Sequence, residues 1–337
     1  MCKMFIVAKR HYAIYHSPLS ATKKMKSMNH EEFFEEWHKR KANFNSMCFL
    51  CGTSLTKNNK SKEHIFPKWL LAKFNLWDLK ISLLNKTNFT YRNAIVPCCK
   101  TCNNEHLSEL ENEIRNSIEK GYDYFSQKVD KLKIYQWCLC IFYKILLKET
   151  FLKADLKKSD SPKIVSERQF KLLSLNHLML RSIDKEVKME NFFPGSIVIV
   201  KTEIPDDENF RFDYLDNPIY QTLCIRMNDI GIVAVFNDAE NHLGLLKNNI
   251  QPLLNKGELS PTEFRLLYSK LLHASYCFID PFFYYLEDKK KEYVKLKLHL
   301  KSKLNKNKTK SNSERVYKDY KQEDYKMILE QVFKMKL

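Results

Sequence analysis

The chain has 337 residues, with 57 Lys and Arg against 40 Asp and Glu, a formal charge of +17, and 44% hydrophobic and 13% aromatic residues. It is long enough for two domains and apolar enough to bury a core, while only 6 Gly and 10 Pro exclude collagen-like and Gly-rich low-complexity classes. So large a basic excess is more than a neutral metabolic enzyme needs and points to a polyanionic partner.

Met1 to Ala8 hold an apolar stretch too short for a signal sequence before Lys9 and Arg10, which predicts a cytosolic protein. Weak alternation around Phe5 to Ile14 is compatible with a strand. Asn29 then caps a predicted helix over His30 to Phe44, with acids first, bases last, and Phe33, Phe34 and Trp37 on one face. From Cys48 to about Leu110 the chain is punctuated by Cys, Asn, Pro and Lys, as in a small unit that a metal stabilises. Within it, Leu70, Leu71, Phe74, Leu76 and Trp77 favour a packed helix across Trp69 to Thr90.

Leu107 to Ile134 and Ile134 to Leu156 read as two helices, the first broken at Gly121-Tyr122-Asp123. The most apolar window, Ile134 to Leu147, spans 14 residues and contains Gln136 and Lys144, whereas a membrane helix needs about 20. It predicts a buried helix with Trp137 and Phe142 in the core and no membrane partner. Gly195–Lys201, Phe210–Tyr214, Ile219–Met227 and Ile230–Phe236 read as strands of an antiparallel sheet across about 193 to 250, with a hairpin turn at Asn228-Asp229. Lys289 to Leu337 reads as a basic, helix-prone tail, with ten Lys and one acid between Lys289 and Lys310. The expected organisation is α+β: an N-terminal segment (1–44), a metal-stabilised module (45–115), a helical and antiparallel β region (116–288) and the tail (289–337).

Five of the ten Cys lie between Cys48 and Cys102. Cys48-Phe49-Leu50-Cys51-Gly52 and Cys99-Lys100-Thr101-Cys102 are two CxxC pairs, which in a reducing compartment read as four thiolate ligands of one structural zinc ion. Cys98 competes with Cys99, but only Cys99 has the two-residue spacing to Cys102. A redox role for one pair is the alternative reading.

Beside these pairs stand Glu63-His64-Ile65-Phe66-Pro67, Asn93 in Asn93-Ala94-Ile95-Val96-Pro97, and Asn103 directly after Cys102. In this order, over about residues 45 to 115, the motifs resemble the HNH endonuclease family, particularly its bacterial zinc-knuckle members. The resemblance implies a ββα-metal fold and a metal-dependent endonuclease acting on DNA, with RNA possible, in a setting such as restriction or phage defence. It implies His64 as general base, Asn93 as the residue orienting its ring, and Glu63 and Asn103 as ligands of a catalytic Mg²⁺ or Mn²⁺, with His106 the alternative to Asn103. Histidine suits a base working near neutral pH, and oxygen ligands suit a hard cation. The chain departs from the family in having Glu63 where many members have Asp, and in the 29 residues from His64 to Asn93. A zinc-stabilised nucleic-acid-binding protein without cleavage is the competing reading. The sequence names no protein partner.

Overall fold

The computed structural model describes residues 46–83, 85, 87–150, 152–162, 176–184, 187–189, 192–278, 282–289, 293–300, 319 and 321–334. The helix expected over His30 to Phe44 lies outside them. Along the chain, β1 (Lys60–His64), α1 (Lys68–Lys73), β2 (Lys80–Ser82), β3 (Asn88–Thr90) and β4 (Ile95–Cys99) lead into a π-helical turn, Cys102–Leu107, which continues as α2 (Ser108–Ile118). Then come α3 (Tyr122–Lys128), α4 (Lys131–Thr150), β5 (Val187–Met189), β6 (Ser196–Thr202), β7 (Phe212–Asn217), β8 (Thr222–Met227) and β9 (Ile230–Val235). The chain closes with α5 (Asn241–Leu254), β10 (Glu258–Leu259), α6 (Pro261–Cys277), β11 (Phe282–Lys289), β12 (Tyr293–Leu300) and α7 (Gln322–Lys334). The described residues form two compact units, one of 46–119 with 129–184, the other of 120–128 with 187–334.

In the first unit β1 pairs antiparallel with β4, and β2 with β3. Helix α4 is buried along almost its whole length, including Trp137 and Phe142, and α2 packs on it. A helix that is apolar all round belongs inside a core, as its sequence predicts. Its polar interruptions find partners: Gln136 donates to Ser182 Oγ at 2.7 Å. The stretch Trp69 to Thr90 is not one helix. Helix α1 stops at Lys73, Asn75 takes φ of 50°, and the remainder is the β2–β3 hairpin. Ile81 and Leu83 are buried while Lys80 and Ser82 are exposed, a two-residue period that a count of apolar residues overlooks. The helix expected to reach Leu156 ends at Thr150, and residues 152–162 turn back on themselves through Ala154 N–H to Pro162 C=O at 2.8 Å.

The second unit contains a five-stranded sheet in the order β10-β6-β9-β8-β7. It is mixed rather than purely antiparallel, because β10 joins β6 in parallel. All positions of β8 and β9 are buried, as in a sheet covered on both faces, and Asn228 at φ of 51° makes the expected turn between them. Val198, Val200, Cys224, Val233 and Val235 pack with apolar residues of α5, α6 and α7. The break between α2 and α3 falls at Gly121, whose φ of 80° is open to glycine, and the Tyr122 amide there donates to Asp229 Oδ2 at 2.8 Å. A second sheet has the order β11-β12-β5, so part of the predicted helical tail is strand. Lys295, Lys297 and His299 alternating with Val294, Leu296, Leu298 and Leu300 carry the strand period that the charge count obscures.

Asp238 accepts from Ser196 Oγ at 2.6 Å and from the His242 amide at 3.0 Å, while the His242 ring lies 3.1 Å from it and 2.9 Å from Ser275 Oγ. The Ser275 hydroxyl donates to the Leu271 carbonyl within α6, and all three residues are buried, so this trio ties α5 to β6 and α6 rather than presenting a nucleophile. Helix α6 starts with a capping box in which Ser260 and Glu263 bond each other's amides, with Pro261 in the first turn. Ser260→Ala is expected to lower unfolding free energy by about 1 kcal/mol, measured by urea denaturation. No described helix is long and apolar enough to cross a membrane.

Candidate functional site

The first knuckle is a tight turn in which the Cys48 amide donates to Thr53 C=O at 2.9 Å and the Gly52 amide to Cys48 C=O at 3.0 Å. Gly52 has φ of 72°, the left-handed conformation expected after such a turn. Phe49 N–H to Pro97 C=O, at 3.0 Å, ties the knuckle to β4, which delivers Cys99 at its end. The chain then enters the π-helical turn, where the Cys102 amide points at Cys99 Sγ at 3.4 Å. The sulfurs of Cys48, Cys51, Cys99 and Cys102 all lie within 4.8 Å of one another, with Cys51 and Cys99 at 3.8 Å. Tetrahedral zinc with bonds of about 2.3 Å separates its sulfurs by about 3.8 Å. Hydrogen bonds from Cys102, Cys48 and Cys99 hold Cys51 far below the ordinary thiol range, so a thiolate is favoured even within this set of four. The donors and their spacing fit a structural metal such as zinc. Cys98 Sγ is 3.8 Å from Cys48 but stands outside the convergent set.

Segment 176–184 backs the knuckle. His177 Nε2 is 2.8 Å from Leu50 C=O, and Arg181 is held by Asp184 at 2.7 Å. Burial opposes the Arg181 charge, but Asp184 and the nearby Cys51 and Cys102 outweigh it, which keeps a cation beside the cysteine cluster.

Strand β1 starts opposite Cys99 and ends with His64 opposite Ile95. Its exposure alternates, placing Lys60, Lys62 and His64 on one face and Ser61 and Glu63 on the other. The Glu63 face turns inward. Lys144 Nζ, 1% exposed, donates to Glu63 Oε1 at 2.8 Å and to the His64 carbonyl at 2.6 Å. Glu111, half-buried on α2, has its pKa pushed up to about 8, by burial first and then by the charge of Glu63 beside it. Burial opposes the Lys144 ammonium as well, yet Cys140, Glu63 and Glu111 together hold it protonated above its ordinary range. One ammonium thus stands beside two carboxyl groups.

His64 is half-buried, and its ring stands perpendicular to that of Trp77, 5.8 Å between centroids and 88° between planes. Its Nδ1 is buried and makes no hydrogen bond of ordinary geometry. Burial, then the charge of Lys68, lowers its pKa below the usual imidazole value, against weaker opposition from Glu63 and the Arg92 backbone. Asn93 sits in a 3₁₀ turn, Tyr91–Asn93, is exposed, and donates to Thr90 Oγ1 at 3.0 Å rather than to His64. Asn103 donates from Nδ2 to Ser61 Oγ at 2.6 Å and to Lys62 C=O at 3.4 Å, fastening the start of the helix to β1. His106 is half-buried three residues further along the same π-helical turn.

The fold therefore joins the four cysteines, and separately joins Asn103 to β1 beside Glu63, while Asn93 and His64 go to different partners. Among the described residues, no second group of three or more His, Cys, Asp and Glu side chains converges on an ion position. The motifs do not signal Lys144, Glu111 or Trp77 as neighbours of the site. Lys144, the one charged residue in the apolar window Ile134 to Leu147, was the available sign for the first. No protein-family model matches the chain, and no curated protein and no solved structure matches it.

Proposed function

We propose that the 46–119 region is a nuclease module of the HNH type that hydrolyses phosphodiester bonds in DNA, with RNA a possible substrate. The observation that carries this reading is the joint placement of the four-cysteine cluster, the β1–β4 pair and the helix entered at Cys102, with His64 at the end of β1. The basic excess of the chain and the Lys60–Lys62 face beside His64 supply the attraction a polyanion needs. In this reading zinc is structural, held by Cys48, Cys51, Cys99 and Cys102, and stiffens the platform without taking part in chemistry.

His64, neutral near pH 7 because burial lowers its pKa, takes a proton from the attacking water. The water oxygen bonds to phosphorus as the bond from phosphorus to the leaving oxygen breaks, and the leaving oxygen is then protonated. The residues do not form a ready site for the Mg²⁺ or Mn²⁺ implied by the family resemblance. Glu63 is paired with the buried Lys144 ammonium, and among the described residues no group of His, Cys, Asp and Glu other than the four cysteines converges on an ion position, so no step is assigned to such an ion.

The test is conversion of supercoiled plasmid by wild type and His64→Ala at equal zinc content, in lanes with EDTA, Mg²⁺ and Mn²⁺. His64→Ala should cut roughly 10²–10⁴-fold more slowly. The wild-type rate should fall on acidification through a pKa below 6.5, because protonation removes the base. Equal rates for the two proteins would refute the assignment.

The pairing of Glu63 with Lys144 and of Asn93 with Thr90 favours a second reading, a zinc-stabilised nucleic-acid-binding protein that does not cut. It predicts binding without cleavage in every lane and an affinity unchanged by His64→Ala.

A further inference from the structure

The stretch of 28 residues between His64 and Asn93 is longer than the motifs around it need, and its fold gives it a task. Helix α1 and the β2–β3 hairpin return the chain so that the Arg92 amide donates to Trp77 C=O at 3.1 Å and the Tyr91 amide to Leu79 C=O at 3.0 Å. This holds Trp77, half-buried, in perpendicular ring contact with His64. The Arg92 guanidinium lies 5.9 Å from the Trp77 ring centroid, and one of its nitrogens reaches both oxygens of Asp78, at 2.9 and 3.1 Å. Arg92 is 58% and Asp78 81% exposed, so the pair is weak and water-screened, and a phosphate can compete for the guanidinium. Lys68, at the start of α1, is exposed and close enough to act on the charge of His64. Lys60 and Lys62 are exposed on the same face of β1.

An indole beside the Arg92 guanidinium, with Lys68 exposed at the start of α1 and Lys60 and Lys62 exposed on the His64 face of β1, is the kind of arrangement that receives a nucleic-acid strand: phosphates on the cations, a base against the ring. We propose that the inserted segment is a docking element for a single, unpaired nucleic-acid strand, with Trp77 as the stacking platform and Lys60, Lys62, Lys68 and Arg92 as the phosphate contacts. A base inside a duplex is stacked on its neighbours and cannot meet an indole, which is why the occupant is single-stranded. The inference rests on the nucleic-acid part of the proposed function, which the cutting and non-cutting readings share, and it does not depend on cleavage.

The test uses the full-length, zinc-loaded chain and fluorescence anisotropy with a labelled phosphorothioate oligonucleotide, as a single strand and as its blunt duplex, recovered intact afterwards. Wild type should prefer the single strand. Trp77→Ala should weaken single-strand binding by about tenfold, within the range of one lost stacking contact, with little effect on the duplex. Trp77→Phe should restore most of the affinity, which separates stacking from a folding defect. Lys62→Glu should weaken both forms and flatten the dependence of affinity on salt. The proposal falls if Trp77→Ala leaves single-strand affinity unchanged, if it weakens both forms equally, or if wild type prefers the duplex or binds neither. Binding that behaves as expected in a protein that never nicks plasmid would remove only the catalytic reading.

Discussion

Stripping zinc from the protein, or changing Cys102 to Ser, is expected to unfold the region around the two knuckles cooperatively, with loss of close to one equivalent of zinc per chain. Two strands alone are marginal in water, and β1 and β4 form a two-stranded sheet. The knuckle is tied to β4 through the Phe49 and Pro97 backbone, and β4 is tied to the helix through Cys99 and Cys102. Four sulfurs within 4.8 Å of one another are therefore the cross-link between three segments. Structural zinc in small modules contributes about 10–16 kcal/mol of binding free energy that doubles as folding free energy. Elemental analysis and thermal melts of wild type, Cys102→Ser and Cys98→Ser check this. Cys102→Ser should lose the metal and the transition, whereas Cys98→Ser should keep both, because Cys98 stands outside the convergent set. A Cys102→Ser protein with full zinc and an unchanged melt would refute the metal centre.

Lys144→Met should destabilise the chain by about 3–5 kcal/mol, the cost of leaving a buried carboxylate without its counter-ion. The two side chains are 1% and 9% exposed, so water cannot take over when the ammonium is removed. Adding Glu63→Gln to Lys144→Met should recover much of the loss, because no buried charge then stands alone, although the His64 carbonyl still lacks its donor. A double mutant no more stable than Lys144→Met would show that the ion pair is not the source of the effect. Glu111 adds a pH signature. Its folded pKa of about 8 lies above its ordinary 4.5, so the folded state binds the extra proton between those values. Its contribution to stability is full below 4.5 and lost as pH rises through 8, and Glu111→Gln should flatten that slope in urea titrations followed across pH.

These two expectations sit at opposite ends of what could be read without coordinates. The cysteine cluster was legible because a CxxC spacing is a local property: with two residues between them, two sulfurs can reach one ion position whatever the rest of the chain does. The choice of Cys99 over Cys98 follows from the same spacing, and the geometry agrees. The buried helix α4 and the strands β6 to β9 are equally legible, since their apolar runs are long and bounded by turn residues such as Asn228. Where two patterns overlap, the stronger one hides the weaker. The apolar run from Leu70 to Trp77 suggests a helix that overshoots into Ile81 and Leu83, whose period is two, and the lysines of β12 draw attention to charge at the expense of alternation.

The sequence by itself determined the set of four converging cysteines, the basic character of the chain and the position of its buried helix, because each depends on near neighbours or on composition. Tertiary structure alone decided what surrounds His64. Lys144 and Glu63 are 81 residues apart, and their meeting depends on how α4 passes under β1. The perpendicular contact of Trp77 with His64, the turn of Asn93 to Thr90 and the reach of Asn103 to Ser61 likewise follow from packing and register. A motif specifies which side chains are available; burial and distance between remote segments decide which of them meet, because partners far apart in the chain leave no mark in local spacing.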